Sequence, residues 1–143
     1  MGLDTTHDCW YGAYSAFGRW RACLASTAGY KVVEWEPHAV LPGWTLRRVE
    51  LPWEMFRAEN AQGDWSSGPP VEDPLLYLLV HSDIEGVIHP EEGRHLAARL
   101  EQMLPDLDDS GGGPQIRSMT EVTQRFIDGL HRAAKAGEDV RFF

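Results

Sequence analysis

The chain has 143 residues and a formal charge of −9, with 13 Lys and Arg against 22 Asp and Glu. That length points to one domain, residues 1–143, of a size that buries about two-thirds of its unfolded surface and forms a core without staples. At 43% hydrophobic and 24% charged residues it lies outside the disordered class, and its acidic balance excludes nucleic-acid polymers as partners, since these are held by Lys and Arg on phosphate.

The first residues, MGLDTTHDCW, carry Asp4 and Asp8 and lack the basic start and apolar stretch of a secretory signal. Trp10, Ala13, Tyr14, Phe17, Trp20 and Leu24 recur at three- and four-residue steps, which predicts a helix from about 8 to 28 with Gly29 as its stop. Cys9 and Cys23, the two cysteines, both fall on that helix. Fourteen steps of about 1.5 Å separate them by ~21 Å, beyond the ~7 Å between Cα atoms that a disulfide tolerates. A reduced, cytoplasmic protein is the expectation.

Strands are expected at Tyr30–Trp35 and Trp44–Leu51, inside a Trp-rich middle of residues 30–72 that ends in an exposed loop, NAQGDWSSGPPVE, over 60–72. Asp73-Pro74 is a helix start, a capping acceptor followed by a proline whose missing N–H is harmless in the first turn. The short helix Leu75–Val80 is the longest strongly apolar run, far below the ~20 residues of a membrane span. Pro90 opens a third helix with Leu96, Ala97, Leu100, Met103 and Leu104 as its apolar stripe, and Pro105 closes it. A flexible connector over 108–118, including Gly111 to Gly113, leads to a last helix capped by Ser118 or Thr120. Its inner face is Val122, Phe126, Leu130 and Ala133, its stop is Gly137, and a strand is expected at Val140–Phe143. These elements make a helix-rich α+β domain with four helices, a small antiparallel sheet and an EF-hand-like helix–loop–helix over 73–104.

Charge is concentrated. Residues 72–109 hold ten acidic side chains against Arg94 and Arg99, so nearly the whole surplus surrounds one helix–loop–helix. Acid clustered in this way lowers the cost of holding a cation; it also serves as a solvated face. Within it, HSDIEGVIHPEE reads as a twelve-residue loop with His81 first, Asp83 third, Glu85 fifth, Gly86 sixth, His89 ninth and Glu92 twelfth. An EF-hand calcium loop places oxygen ligands at the first, third, fifth, seventh, ninth and twelfth positions and glycine at the sixth. His81 stands where a carboxylate is expected, and imidazole suits zinc better than a hard cation. Three readings follow: a weak calcium or magnesium site, a zinc or other transition-metal site using His81 or His89, or a metal-free turn in which Asp83 caps backbone N–H groups and Gly86 supplies the bend. His7 and Asp8 complete such a site if folding brings them to His81; otherwise they cap the first helix.

The segments MGLDTTHDCWYGAYSAF, HSDIEGVI and TQRFIDGL…GEDV resemble a family of short, uncharacterised bacterial proteins. That family has Cys then Asp at the positions of Ile84 and Glu85 and His at that of Tyr11. The resemblance implies that the two ends and the central loop act together; it implies no activity.

Common catalytic signatures are absent. Gly12-Ala13-Tyr14-Ser15-Ala16 lacks the second glycine of a nucleophile elbow, and no GxxxxGK[ST], GxGxxG or HExxH occurs. Cys9 with His7 reads either as a nucleophile and base or as an inert core thiol. Trp35, Trp44, Trp53 and Trp65, near Arg47, Arg48 and Arg57, suit a protein or small-molecule partner or pack under loops. The expectation is a small cytoplasmic non-catalytic binding protein using the His81–Glu92 loop, either for a divalent cation or as a support for a partner surface. The alternatives are a metal-dependent hydrolase of a small phosphate or ester, using His81, Asp83 and Glu85 to hold the ion, and a nucleotide-sequestering binder.

Overall fold

The N-terminal segment is a hairpin rather than the first turns of a helix. In this computed structural model, which describes residues 2–35, 46–49, 73–81, 85–111 and 113–143, β1 (Gly2–Asp4) pairs antiparallel with β2 (Tyr11–Ala13), and α1 spans only Tyr14–Thr27. The helix predicted from residue 8 is corrected here, and Cys9 is not helical. Short polar side chains compete with the helix for backbone partners in this stretch. Thr5 Oγ1 accepts the Trp10 N–H at 2.8 Å and donates to the Trp10 carbonyl at 3.2 Å, closing the turn that a helix would have had to open. Trp10 reaches the core all the same, from a strand end, so its helical spacing with Phe17 reflects a shared destination.

The other helices, and among the described residues the expected strands, follow the predicted pattern; a strand inside the 81–92 loop was not expected. β3 (Val32–Trp35) pairs antiparallel with β4 (Leu46–Val49). The predicted loop over 60–72, together with Trp44, Trp53, Trp65 and Arg57, lies outside the described residues. Helix α2 (Leu75–Val80) starts at Asp73-Pro74 as predicted. The Asp73 carboxylate accepts the Leu75 N–H at 3.0 Å, the Tyr30 hydroxyl at 2.6 Å, and Arg99 Nε and Nη2 at 3.0 and 3.4 Å. One side chain therefore caps α2 and ties it to α3 (Pro90–Met103) and to the chain leaving α1.

The 108–118 connector carries two short 3-10 turns, and the Asp109 carboxylate accepts the Met119 N–H at 2.7 Å. Helix α4 (Met119–Ala136) is capped by Ser118, whose hydroxyl accepts the Glu121 N–H at 3.1 Å, and is followed by Gly137. The architecture is helix-rich α+β, with four α-helices and small antiparallel pairings among the described residues.

The last strand, β6 (Val140–Phe142), joins what the sequence keeps far apart. On one edge it pairs antiparallel with β5 (Gly86–Ile88), Gly86 facing Phe142 and Ile88 facing Val140. On the other edge Thr5 bridges to Phe142, while Asp4 and Phe143 exchange backbone hydrogen bonds of 2.9 and 3.0 Å. The start of the chain, the central loop and the end of the chain are thus three neighbouring strands.

A contiguous apolar core runs beneath them, from Leu3 through α1, α2, α3 and α4 to Phe142. Its centre is aromatic. Trp10 stacks on Trp20 at 5.2 Å between centroids, Trp20 leans on Phe126 at 4.8 Å, and Phe17 meets Trp10 and Phe142 edge-on. The Trp20 indole N–H donates to Thr123 Oγ1 at 2.8 Å, so the polar atom of this fully buried ring is matched across α1 and α4. No helix of the described residues is long and apolar enough to cross a membrane.

Candidate functional site

The predicted loop residues come to β5 and its junctions. His81 follows α2; its Nε2 donates to the Val87 carbonyl at 3.1 Å, and its ring lies on Phe142 at 4.1 Å between centroids. Arg21 holds the same residue from α1, donating to the His81 carbonyl at 2.7 Å while its guanidinium covers the Phe17 ring at 4.6 Å. Gly86 has φ +110°, and a Cβ there would stand 3.1 Å from His81 Cε1. Glycine thus supplies the bend and leaves room for the imidazole. Glu85 is exposed before β5, and Glu92 is half-buried in the first turn of α3. His89 Nδ1 contacts Asp139 Oδ1 at 2.9 Å. Asp83 lies outside the described residues.

His7 and Asp8 sit on the far side of β6. Thr5 and Gly86 flank Phe142 on opposite edges, so at a strand spacing of about 4.8 Å the two segments run about 10 Å apart with β6 between them. His7 instead faces Thr6, with Nδ1 3.0 Å from Oγ1, and Glu138, 3.8 Å from Nε2. Among the described residues no group of three or more His, Cys, Asp or Glu is placed to hold a metal ion.

The turn that carries His7 and Asp8 is strained and clamped. Both residues have positive φ, 61° and 54°, a region that non-glycine residues enter at a cost of order 1–3 kcal/mol each. Helix α4 holds them there. Arg132 Nη2 donates to the His7 carbonyl at 2.7 Å, and Arg125 Nε donates to the Asp8 carbonyl at 3.1 Å. Between these arginines, Gly129 lets the helix backbone press on the turn: a Cβ at 129 would collide with Cys9 Sγ and stand 2.8 Å from the His7 oxygen. Cys9 is fully buried in this contact, and burial pushes its thiol up to about 12, against the lowering influence of Arg132 and Thr5. A thiol held so far above neutrality is not a nucleophile at pH 7.

Beside the clamp a cavity of about 370 Å³ opens between β2, the start of α1, Ile116 and α4. Its apolar lining includes Ala16, Ile116 and Val122, with Trp10, Gly12 and Ala13 also along it. The Thr5 N–H bonds the Trp10 carbonyl, which sets the ladder phase, so the backbone N–H and C=O groups of Tyr11 and Ala13 face away from β1. Arg125, an exposed residue of the lining, keeps both Nη groups after spending Nε on Asp8. Gln115 Oε1 accepts from Ser15, leaving the amide NH2 as a donor. The Trp10 indole N–H, enclosed next to Gly12, makes no hydrogen bond among the described residues. A buried donor left unmatched costs about 1–3 kcal/mol. The volume is at the lower end of the ~300–1,000 Å³ typical of small-molecule sites.

The sequence reading did not single out Arg125, Gly129, Arg132 or Gln115. One signal was present: a glycine in the middle of a strongly periodic helix costs about 1 kcal/mol relative to alanine, which is tolerated where something must come close. No protein-family model, curated protein or solved structure matches the chain.

Proposed function

We propose that the chain is a small, non-catalytic cytoplasmic binding protein that takes a small molecule in the cavity between β2, α1 and α4. The observation that carries this reading is the cavity's composition, a mostly apolar lining that includes the polar side chains of Arg125 and Gln115. In this reading His81 and β5 serve as a support, since His81 Nε2 is engaged by Val87 and β5 pairs with β6. The raised Cys9 thiol favours binding over covalent catalysis at this place.

Amide NMR spectra of the full chain test it, recorded with a mixture of small organic fragments and, separately, with calcium, magnesium, zinc and a chelator. Fragment-dependent shifts at Gly12, Ala13, Ala16, Ile116 and Arg125, removed by the cavity-filling Val122→Phe, are the expected result. Chelator-sensitive shifts confined to residues 81–92 would replace it with a cation-binding loop.

A further inference from the structure

Resting on that reading, we infer that the cavity selects a small organic carboxylate carrying an apolar body. The Arg125 guanidinium is the charged group of the lining, although the chain as a whole is strongly acidic. Long-range attraction therefore does not favour an anion, and selection falls to contacts inside the cavity. The side-chain contacts there are donors, beside the outward-facing backbone N–H and C=O groups of Tyr11 and Ala13. With Nε bound to the Asp8 carbonyl, the guanidinium is oriented by the backbone of the clamped turn and keeps the Nη edge that matches the two oxygens of a planar carboxylate. Gln115 adds its amide NH2.

The position of α1 favours the same charge. Ala13, its N-cap, and Ala16 both line the cavity; no side chain caps this helix and no acidic residue occupies its first turn. The positive end of the helix dipole thus carries no carboxylate from the helix's own first turn. Ala16, Ile116 and Val122 would cover the apolar body. A cation would meet the guanidinium and the helix dipole with like sign, and a neutral amide would lose the charge-assisted pair.

The test titrates the full-length protein with benzoate, hexanoate, benzamide and benzylamine, following the Trp10 indole and Gly12, Ala13 and Ile116 amide resonances. Benzoate and hexanoate are expected to shift them, with benzamide at least about tenfold weaker and benzylamine inactive. Arg125→Gln should remove the preference of benzoate over benzamide. Because Arg125 also holds Asp8, Gln115→Leu serves as a second variant that leaves the clamp untouched and should weaken benzoate by a larger factor than benzamide, whose neutral carbonyl accepts the same N–H less strongly. Equal affinity for benzoate and benzamide at these resonances would overturn the carboxylate assignment and leave the binding cavity standing. No shift at the cavity with any of the four compounds would overturn both.

Discussion

Arg132 Nη2 lies 2.7 Å from the carbonyl oxygen of His7, a residue 125 positions earlier in the chain. With Arg125 on Asp8, it holds two consecutive non-glycine residues in the left-handed region. Removing the donor while keeping the aliphatic stem, as in Arg132→Met, should lower stability by about 1–2 kcal/mol, because a charged donor on a carbonyl is worth roughly that near a surface. Urea unfolding gives the value. The same assay separates strain from side-chain role at the next residue. Asp8→Gly should stay within about 1 kcal/mol of the parent, while the β-branched Asp8→Val should lose about 1–3 kcal/mol.

Gly129 is where α4 touches the turn. Gly129→Ala should cost about 3 kcal/mol or more, since the added methyl meets backbone atoms at 2.8 and 2.9 Å as well as the Cys9 sulfur. In the double variant with Cys9→Ala only part of that loss should return, because the His7 oxygen and Cys9 Cα remain in the way. Full recovery in the double-mutant cycle would place the whole conflict on the sulfur.

The contact between His89 and Asp139 predicts a pH dependence. The hydrogen bond that His89 donates to the Asp139 carboxylate raises the His89 pKa above its ordinary value, with partial burial opposing it and the charges of Glu92 and Asp139 adding to it. A raised folded-state pKa means that the imidazolium is bound more tightly in the native protein. Its stabilisation is full below the unfolded value of about 6.5 and is lost as pH rises through the higher folded value. Both side chains are largely exposed, so the effect is small and screened by salt. A proton-NMR titration of His89 should show the raised midpoint, and Asp139→Asn should lower it.

Cys9 should be chemically silent in the native protein. With the thiol pushed up to about 12 and no exposed surface, alkylation by iodoacetamide at neutral pH should await unfolding. Mass spectrometry of peptides after labelling, with and without urea, reads this directly. Rapid native labelling of Cys9 would show that the clamped turn opens, and would reinstate the thiol as a reactive group.

The helices after residue 72 were open to reading from local chemistry. Asp73-Pro74, Pro90, Ser118 and Gly137 act through capping and φ restriction, effects that need only adjacent residues. The apolar stripes of α3 and α4 are likewise properties of one helix. The N-terminal helix was misplaced for the complementary reason. Trp10 and Ala13 satisfied a helical period, yet Thr5 offered the backbone a closer partner, and periodicity does not register that competition.

The loop's register showed where the chain bends; it could not show what His81, His89 or His7 would touch. Val87 is six residues from His81, whereas Asp139 and Glu138 become neighbours of His89 and His7 only when β6 inserts between the central loop and the N-terminal turn. Composition, caps and periodicity therefore determined a helix-rich α+β chain with an acidic central hairpin of helices. The tertiary structure decided that its two ends and its loop share one strand, that Arg125 and Arg132 brace a strained turn, and that a cavity opens beside them. Capping and amphipathicity act within about one or two helical turns, whereas β5 meets β6 across more than fifty positions and Arg125 and Arg132 meet the N-terminal turn across more than a hundred, encounters that no local preference encodes.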